Sequence, residues 1–414
     1  MTFNWQPEFV AAQRVRAGAL RDHIETFTAA LVSRGYAKST TKEHVRLAAG
    51  LGRWLARKKV VLVDLDERCG AQFLEHLRRR GRAARSHGTA VRMLLMVLRE
   101  SGAVRAQRTV APPLNPVSEV ECSFDRHLTE ERGLHPSTRS SYLRIARRLL
   151  SRRVRRGALR LGELCPDDVT RFVTDEARAR PMSAKLLGPA LRALLRWLHQ
   201  RGDTATCLAG CVPPVADWRL SSLPKSLPAE QVERLLQCCD RESMVGRRDY
   251  AILSLLARLG LRAGEVVAME LDDLGWESGE FVVRSKGGRQ DSLPLPRNVG
   301  SAVAAYLRHG RPRCSTRRVF VRARAPHQGF VSSVAICNIV ERALKRAGLE
   351  PPRKGAHTLR HALACTMLRH GASLAEIGQI LRHRSPDTTA IYAKVDLVSL
   401  RALAPAWPQL AGEP

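Results

Sequence analysis

From Asp249 to Gly260 the run DYAILSLLARLG is apolar at helical spacing, which predicts a buried helix. A shorter helix is predicted just upstream, opened by Pro228-Ala229-Glu230-Gln231-Val232. The period then changes. Between Gly279 and Leu295 two short strands flank Gly287-Gly288, the pattern of a β-hairpin. From Val331 the helical pattern returns, with stops predicted at Gly348, Gly371 and Pro386. The fold class expected from these patterns is mainly α with a small β-hairpin or sheet.

Upstream of this segment the chain is helical in pattern and divided by proline clusters. Ala111-Pro112-Pro113-Leu114-Asn115-Pro116 forms one, and a second runs from Pro213-Pro214 to Pro224 and Pro228. Such clusters cannot continue a helix and read as linkers. The expected domains are therefore 1–112, 113–222 and 223–414. The first two resemble each other: Gly35-Tyr36-Ala37-Lys38-Ser39-Thr40 has its counterpart in Gly133-Leu134-His135-Pro136-Ser137-Thr138, 98 residues on. Ala90 to Leu98 likewise parallels Ala190 to Leu198, offset by 100. In both copies Ser-Thr is expected to cap a basic helix, followed by an Asp/Glu-capped helix and an apolar one. Two copies at this spacing suggest a duplicated helical domain.

Charge narrows the choice of partner. The 414 residues hold 69 Lys+Arg against 39 Asp+Glu, a formal charge of +30. Ten of the basic residues are Lys, leaving 69 − 10 = 59 Arg, whose planar fork holds phosphate bidentately. A GC-rich genome accounts for Arg over Lys but not for the shortage of acids. A surplus spread along the whole chain points to a polyanion, most simply nucleic acid. No apolar run approaches the ~18–20 residues of a membrane span, and the N-terminal residues lack a signal-peptide pattern. The expectation is a cytoplasmic, nucleoid-associated protein with no membrane contact. Ten Cys occur without a CxxC pair, which reads as scattered thiols rather than a disulfide framework. His199, Cys207 and Cys211 make at best a lone zinc corner without a second ligand pair.

A series of polar residues in the third segment sits where packing alone would not ask for it. Arg262 follows the buried helix three residues before Glu265, and Lys286 is at the hairpin tip. His357 and Arg360, three apart, share a helix face. His383 follows Leu381-Arg382, and Tyr392 comes nine residues later, after Thr388-Thr389. Singly, each has an ordinary explanation: a helix cap, a solvated turn lysine, a structural histidine, a half-buried tyrosine.

Together they resemble the catalytic domain of the tyrosine recombinases, the phage-integrase family. The matching motifs are Leu-Gly-Leu-Arg262-x-x-Glu265, Ser285-Lys286-Gly-Gly-Arg, His357-Thr-Leu-Arg360-His361, and Leu381-Arg-His383 with Thr-Thr-x-Ile-Tyr392. They cover about residues 225–400 in family order, and the duplicated segments more loosely resemble the family's helical, SAM-like core-binding domain. The departures are Arg382 where a Gly usually precedes the histidine, Leu259 where a Thr is common, Gly264 after Arg262, and the extra N-terminal copy.

The resemblance implies a site-specific DNA recombinase that integrates, excises or transposes a mobile element. It would hold two double-stranded DNA sites as a homotetramer, with or without sister recombinases. It implies that Arg262 and Arg360 clamp the scissile phosphate and that His383 hydrogen-bonds it. Tyr392 would attack phosphorus to leave a 3′-phosphotyrosyl link, with His357 as base and Lys286 protonating the 5′-oxygen. Glu265 is expected to hold structure near Arg262, and Arg382 and His361 to be accessory or DNA-facing. The C-terminal stretch Leu397 to Leu403 is expected to dock on a neighbouring protomer. No cofactor and no metal are expected, since the covalent ester conserves the bond energy. Two other readings remain: a catalytically silent DNA-binding helper, and a type IB topoisomerase-like relaxing enzyme.

Overall fold

The computed structural model describes residues 7–105, 115–180, 184–214, 226–284, 290–395 and 400–401. The chain divides into two compact units, one formed by Met1–Gln107 with Ser222–Pro414 and the other by Arg108–Ser221. Helix dominates both, as the spacing predicted.

The first unit opens with α1 (Pro7–Arg16), α2 (Ile24–Ser33), α3 (Lys38–Lys58), α4 (Glu67–Arg79) and α5 (His87–Glu100). The 21-residue α3 is amphipathic: Val45, Ala48, Leu51 and Leu55 are buried against Leu20, Phe27, Leu94 and Leu98. Asp66 caps α4, its side chain accepting from the Cys69 N–H at 2.8 Å. The α2–α3 turn meets the far part of the chain, where the His327 N–H donates to the Arg34 carbonyl at 3.0 Å. Gly35, at φ +81°, leaves the room: a Cβ there would stand 2.0 Å from His327 Cδ2.

The second unit consists of α6 (Pro116–Glu130), α7 (Pro136–Arg152), a two-stranded hairpin of β1 (Val154–Arg155) and β2 (Ala158–Leu159), α8 (Pro166–Ala179) and α9 (Ala184–Gln200). Its core gathers Phe124, Leu149, Phe172, Leu191, Leu194 and Leu198. The expected Ser-Thr caps are corrected in both copies. Helix α3 starts from an extended Ala37 with no side-chain cap, and Thr41 turns its hydroxyl back to the Ala37 carbonyl at 3.1 Å. Pro136, with its fixed φ, begins α7, so the cap moves upstream to His135, whose ring accepts from the Ser137 N–H at 3.3 Å.

Beyond it, the first unit resumes with α10 (Ala229–Gln237), α11 (Met244–Arg258) and α12 (Ala263–Ala268). A three-stranded antiparallel sheet follows, β3 (Leu274–Gly275), β4 (Glu280–Arg284) and β5 (Gln290–Pro294) in the order β3-β4-β5. Phe281 pairs with Leu293 and Val283 with Asp291, so Phe281 and Val283 enter the core while Val282 faces away. The predicted hairpin strands are present; β3 was too short to show a period of two. The hairpin tip with Lys286 lies outside the described residues, as does most of Leu397 to Leu403.

The remaining helices are α13 (Arg297–His309), α14 (Val334–Arg346), α15 (Ala356–Arg369), α16 (Leu374–Ile380) and α17 (Pro386–Thr389), with a 3-10 turn at Ala390–Val395. α11 is the hub: Ala251 through Leu256 are buried on all sides by α13, α14 and α15. Helices stop before Gly348 and Gly371, as expected. Pro386 does not stop one: it is the first residue of α17, behind a Ser385 cap. A proline lacks the N–H that a first-turn residue has no use for, so the same residue suits a start. Among the described residues, no helix is long and apolar enough to cross a membrane.

His44 on α3 is 2% exposed, edge-on to Tyr36, and neither ring nitrogen has a hydrogen-bond partner among the described residues. Burial pulls its pKa below the ordinary value, against Glu43 and together with His87. Its neutral form is therefore favoured by folding, and stability is lost as pH falls below the unfolded value of about 6.5. His44→Leu should shrink the drop in melting temperature between pH 7 and pH 5. An equal drop in both proteins would contradict this.

Candidate active site

The site is assembled from three segments of the chain, two of which meet on one carboxylate. The first follows α11. Gly260 takes φ +59°, and a Cβ there would stand 2.5 Å from Leu381 Cδ2, so the Leu-Gly-Leu-Arg glycine serves both the turn and the approach of another segment. Arg262 then enters α12. The Arg262 N–H donates to Glu265 Oε2 at 2.8 Å, and Arg262 Nη1 to Glu265 Oε1 at 2.8 Å.

The second is the start of α15, which carries His357, Arg360 and His361 in its first two turns. Arg360 is 8% exposed, and its two terminal nitrogens donate to the carbonyls of Gly260 and Leu381. It thus ties the ends of α11 and α16 together. Burial, and then the charge of Arg262, bring its pKa down to about 10, which leaves it charged at pH 7.

The third is the turn after α16. Arg382 sits there at φ +52°, its side chain 6% exposed, with Nη2 2.7 Å from Glu265 Oε2. Its carbonyl accepts from Arg262 Nη2 at 3.1 Å. Burial pushes the Glu265 carboxyl up, but the Arg262 N–H, Arg382 and the Arg262 guanidinium outweigh it and hold the group below the usual range. Two guanidinium groups, those of Arg262 and Arg382, thus share one carboxylate, with the charge of Arg360 nearby. The surplus is felt by His383, lowered to about 4 by burial and then by Arg360, Arg262, His361 and Arg382. Its Nδ1 meets Thr389 Oγ1 at 2.7 Å, so Thr389 orients the ring. Beside it opens a cavity of about 810 Å³, bordered by Asp291 and Ser292 of β5 and by α16 and α17. β5, the strand that follows Lys286 in the sequence, therefore runs along the same cavity.

Tyr392, on the 3-10 turn, is 1% exposed among Ala364, Cys365, Ile377 and Leu381. Its hydroxyl lies 2.7 Å from His361 Nδ1, the rings 5.6 Å apart and edge-on. Burial, only partly offset by Arg360, raises its pKa to about 12. His361 is itself lowered to about 4 by burial, His357 and Arg360, so the pair is neutral at pH 7. His357 touches the edge of His361 at 5.9 Å rather than Tyr392. Its own pKa is lowered, first by burial and then by Arg353.

Of the residues singled out in the sequence, Arg262, Arg360, His383 and Tyr392 are thus brought around one turn, and His357 stands behind His361. Lys286 lies outside the described residues. Of the two residues expected to be accessory or DNA-facing, His361 meets the Tyr392 hydroxyl and Arg382, its side chain 6% exposed, pairs with Glu265. The signal for His361 was present, since four residues from His357 on a helix is the same face. Arg382 gave none, because its partner Glu265 is 117 residues away. His199, Cys207 and Cys211 form no metal cluster: His199 Nδ1 meets the Thr204 carbonyl at 3.2 Å, and Cys207 is exposed.

The family model for the phage integrase family matches residues 225–397. A putative integrase/recombinase of Sinorhizobium fredii, y4rA, is 43% identical over 96% of this chain and 97% of its own length. The tyrosine recombinase XerD of Mycobacterium tuberculosis is 33% identical over 68% of this chain and 93% of its own. Among solved structures, XerH bound to palindromic difH matches at TM-score 0.54 and 18% identity, covering 70% of this chain and 85% of that one. A lambda integrase tetramer bound to a Holliday junction matches at TM-score 0.51 and 17% identity, over 75% and 87%. This chain belongs to the phage integrase family of tyrosine recombinases, the enzymes that break and rejoin DNA strands in site-specific recombination.

Removing the charge of Glu265 strands the buried Arg382. Glu265→Gln should therefore cost about 3–5 kcal/mol in unfolding free energy, the usual penalty for orphaning one member of a buried ion pair. Urea unfolding measures it, and a loss below about 1 kcal/mol, the level of an exposed pair, would contradict the buried role.

Proposed function

We propose that this recombinase cuts DNA with Tyr392 as nucleophile, through a 3′-phosphotyrosyl intermediate, and acts in integration, excision or transposition of a mobile element. The observation that carries this reading is the cluster of Arg262, Arg360 and Arg382 around a single carboxylate, Glu265, with Arg360 near enough to lower the pKa of Tyr392 against its burial. A phosphodiester is the anion that would neutralise the cluster, and charge placed in advance where the transition state gathers charge is the main source of rate in such sites. Arg262, 43% exposed in its side chain, offers the accessible part of the clamp, and Arg360 the buried part.

In the step itself the Tyr392 oxygen forms a bond to phosphorus as the bond to the 5′-oxygen breaks. The phenolic proton passes to the histidine pair on α15, where His361 already holds the hydroxyl and His357 lies behind it. Lys286 supplies the proton that the leaving 5′-oxygen takes up, and His383 hydrogen-bonds a phosphate oxygen. Rejoining is the reverse attack by a 5′-hydroxyl, so bond energy is conserved and no cofactor is consumed. With its hydroxyl on His361 and its ring buried, Tyr392 has to swing out with the 3-10 turn before it meets a phosphate, so DNA binding does the unlocking.

The functional parts in this reading are 1–112 and 113–222 as helical DNA-binding domains and 223–414 as the catalytic domain, on the bacterial nucleoid. The partners are two double-stranded DNA sites held by a homotetramer, with or without sister recombinases. The likeness to recombinases solved on DNA, a lambda integrase tetramer among them, supports this assembly. The +30 charge supports a long DNA footprint.

Nicked duplexes tiling the DNA that flanks the coding region trap the covalent adduct on denaturing gels. Tyr392→Phe should abolish it, and Arg262→Ala should slow it by about 10²–10³, the effect of removing one charge-stabilising donor. An adduct that survives Tyr392→Phe overturns the nucleophile. DNA affinity should also fall steeply with salt, at a slope close to −0.9 per phosphate neutralised. A shallow slope would contradict the charge reading.

A further inference from the structure

We infer that Arg382 is a positioning residue, which grips Arg262 from two sides and sets where that guanidinium meets the DNA phosphate. The inference rests on the reading above, in which Arg262 is a phosphate ligand. Each terminal nitrogen of Arg262 ends on something that Arg382 controls. Nη1 is 2.8 Å from Glu265, whose other oxygen takes Arg382 Nη2 at 2.7 Å. Nη2 is 3.1 Å from the carbonyl oxygen of Arg382 itself.

The turn around Arg382 serves more than Arg262. The carbonyl of Leu381, one residue before, takes Arg360, and His383 is one residue after. Three consecutive residues therefore each meet a different group of the site, and the backbone at Arg382 sets their register. That backbone is in the left-handed region, φ +52°, where a residue with a Cβ is disfavoured and glycine is at ease. A long side chain persists there when its surroundings hold it. The grip of Glu265 on the guanidinium supplies that hold. Arg382 does not reach the substrate itself: its side chain is 6% exposed, against 43% for Arg262.

Three substitutions separate the parts of this role in the full-length protein. Arg382→Gly removes the guanidinium and frees the backbone. Arg382→Asn removes it while tolerating the left-handed turn. Arg382→Lys keeps the charge. The readouts are the rate of adduct formation at saturating nicked duplex, the DNA concentration giving half that rate, and the pH profile of the rate. Gly and Asn should both slow the saturated rate by about 10- to 100-fold, the scale of a small misplacement of a reacting group, with half-saturation little changed. Lys should recover most of the rate.

The acid limb of the profile should also move to higher pH in Gly and Asn. Glu265 faces Arg262 on its own turn, Arg382 after α16 and Arg360 on α15, and it has then lost the second of these. A wild-type saturated rate in Asn or Gly overturns the inference. So does a Lys variant no faster than Asn with the acid limb unmoved, since that is what mere loss of stability produces. Tyr392→Phe and Arg262→Ala run alongside. If Tyr392→Phe still forms adduct, or Arg262→Ala is unaffected, the reading of the site fails. If both behave as expected and the Arg382 series is wild-type, this inference alone fails.

Discussion

Glu265 is an anion kept in a place where anions are costly. Its carboxylate is nearly sealed from water, and the cost is offset by the α12 backbone, the guanidinium of Arg262 and the guanidinium of Arg382 arriving from the far side. The dependence runs outward from there. Arg262 owes its direction to this group, and the turn after α16 is tied to α12 through it. Arg360 closes the remaining gap by bonding the carbonyls at Gly260 and Leu381. The end of the hub helix, the start of α15 and the turn after α16 bring these four side chains together.

The geometry leaves a deliberate imbalance. Two arginines share one carboxylate with a third beside it, so the site is short of negative charge, and burial together with these charges holds the histidines neutral. Tyr392 shows the opposite condition, being buried, neutral and hydrogen-bonded to His361. One half of the site is cationic, while in the other half the tyrosine hydroxyl is held inside by His361. In the proposed function a DNA phosphate brings the missing charge, and its binding is the event coupled to the outward swing of Tyr392.

Much of the local structure was legible in the chain. The run at Asp249 to Gly260 announced the hub helix because a helix apolar on all faces has nowhere to lie but inside. The helical character of the first two segments was legible as well. The errors were at element ends, where the same residue has two uses. Ser-Thr suggested caps that Ala37 and His135 took over, and Pro386 suggested a stop where it makes a start. The three-stranded sheet was half visible, since two residues of β3 show no alternation.

What the sequence alone determined is the chemistry on offer: a strongly cationic chain, and arginine, histidine and tyrosine in an order and spacing that belong to one family. Helix periodicity also placed His357, Arg360 and His361 on one face, because that spacing is a property of the helix itself. What only the tertiary structure decided is which of them touch. Arg382 meets Glu265 across 117 residues, and His361 rather than His357 meets the Tyr392 hydroxyl across 31. No local period encodes such pairs. They arise because burying a charge or a phenol demands a partner, and packing alone settles which one is within reach.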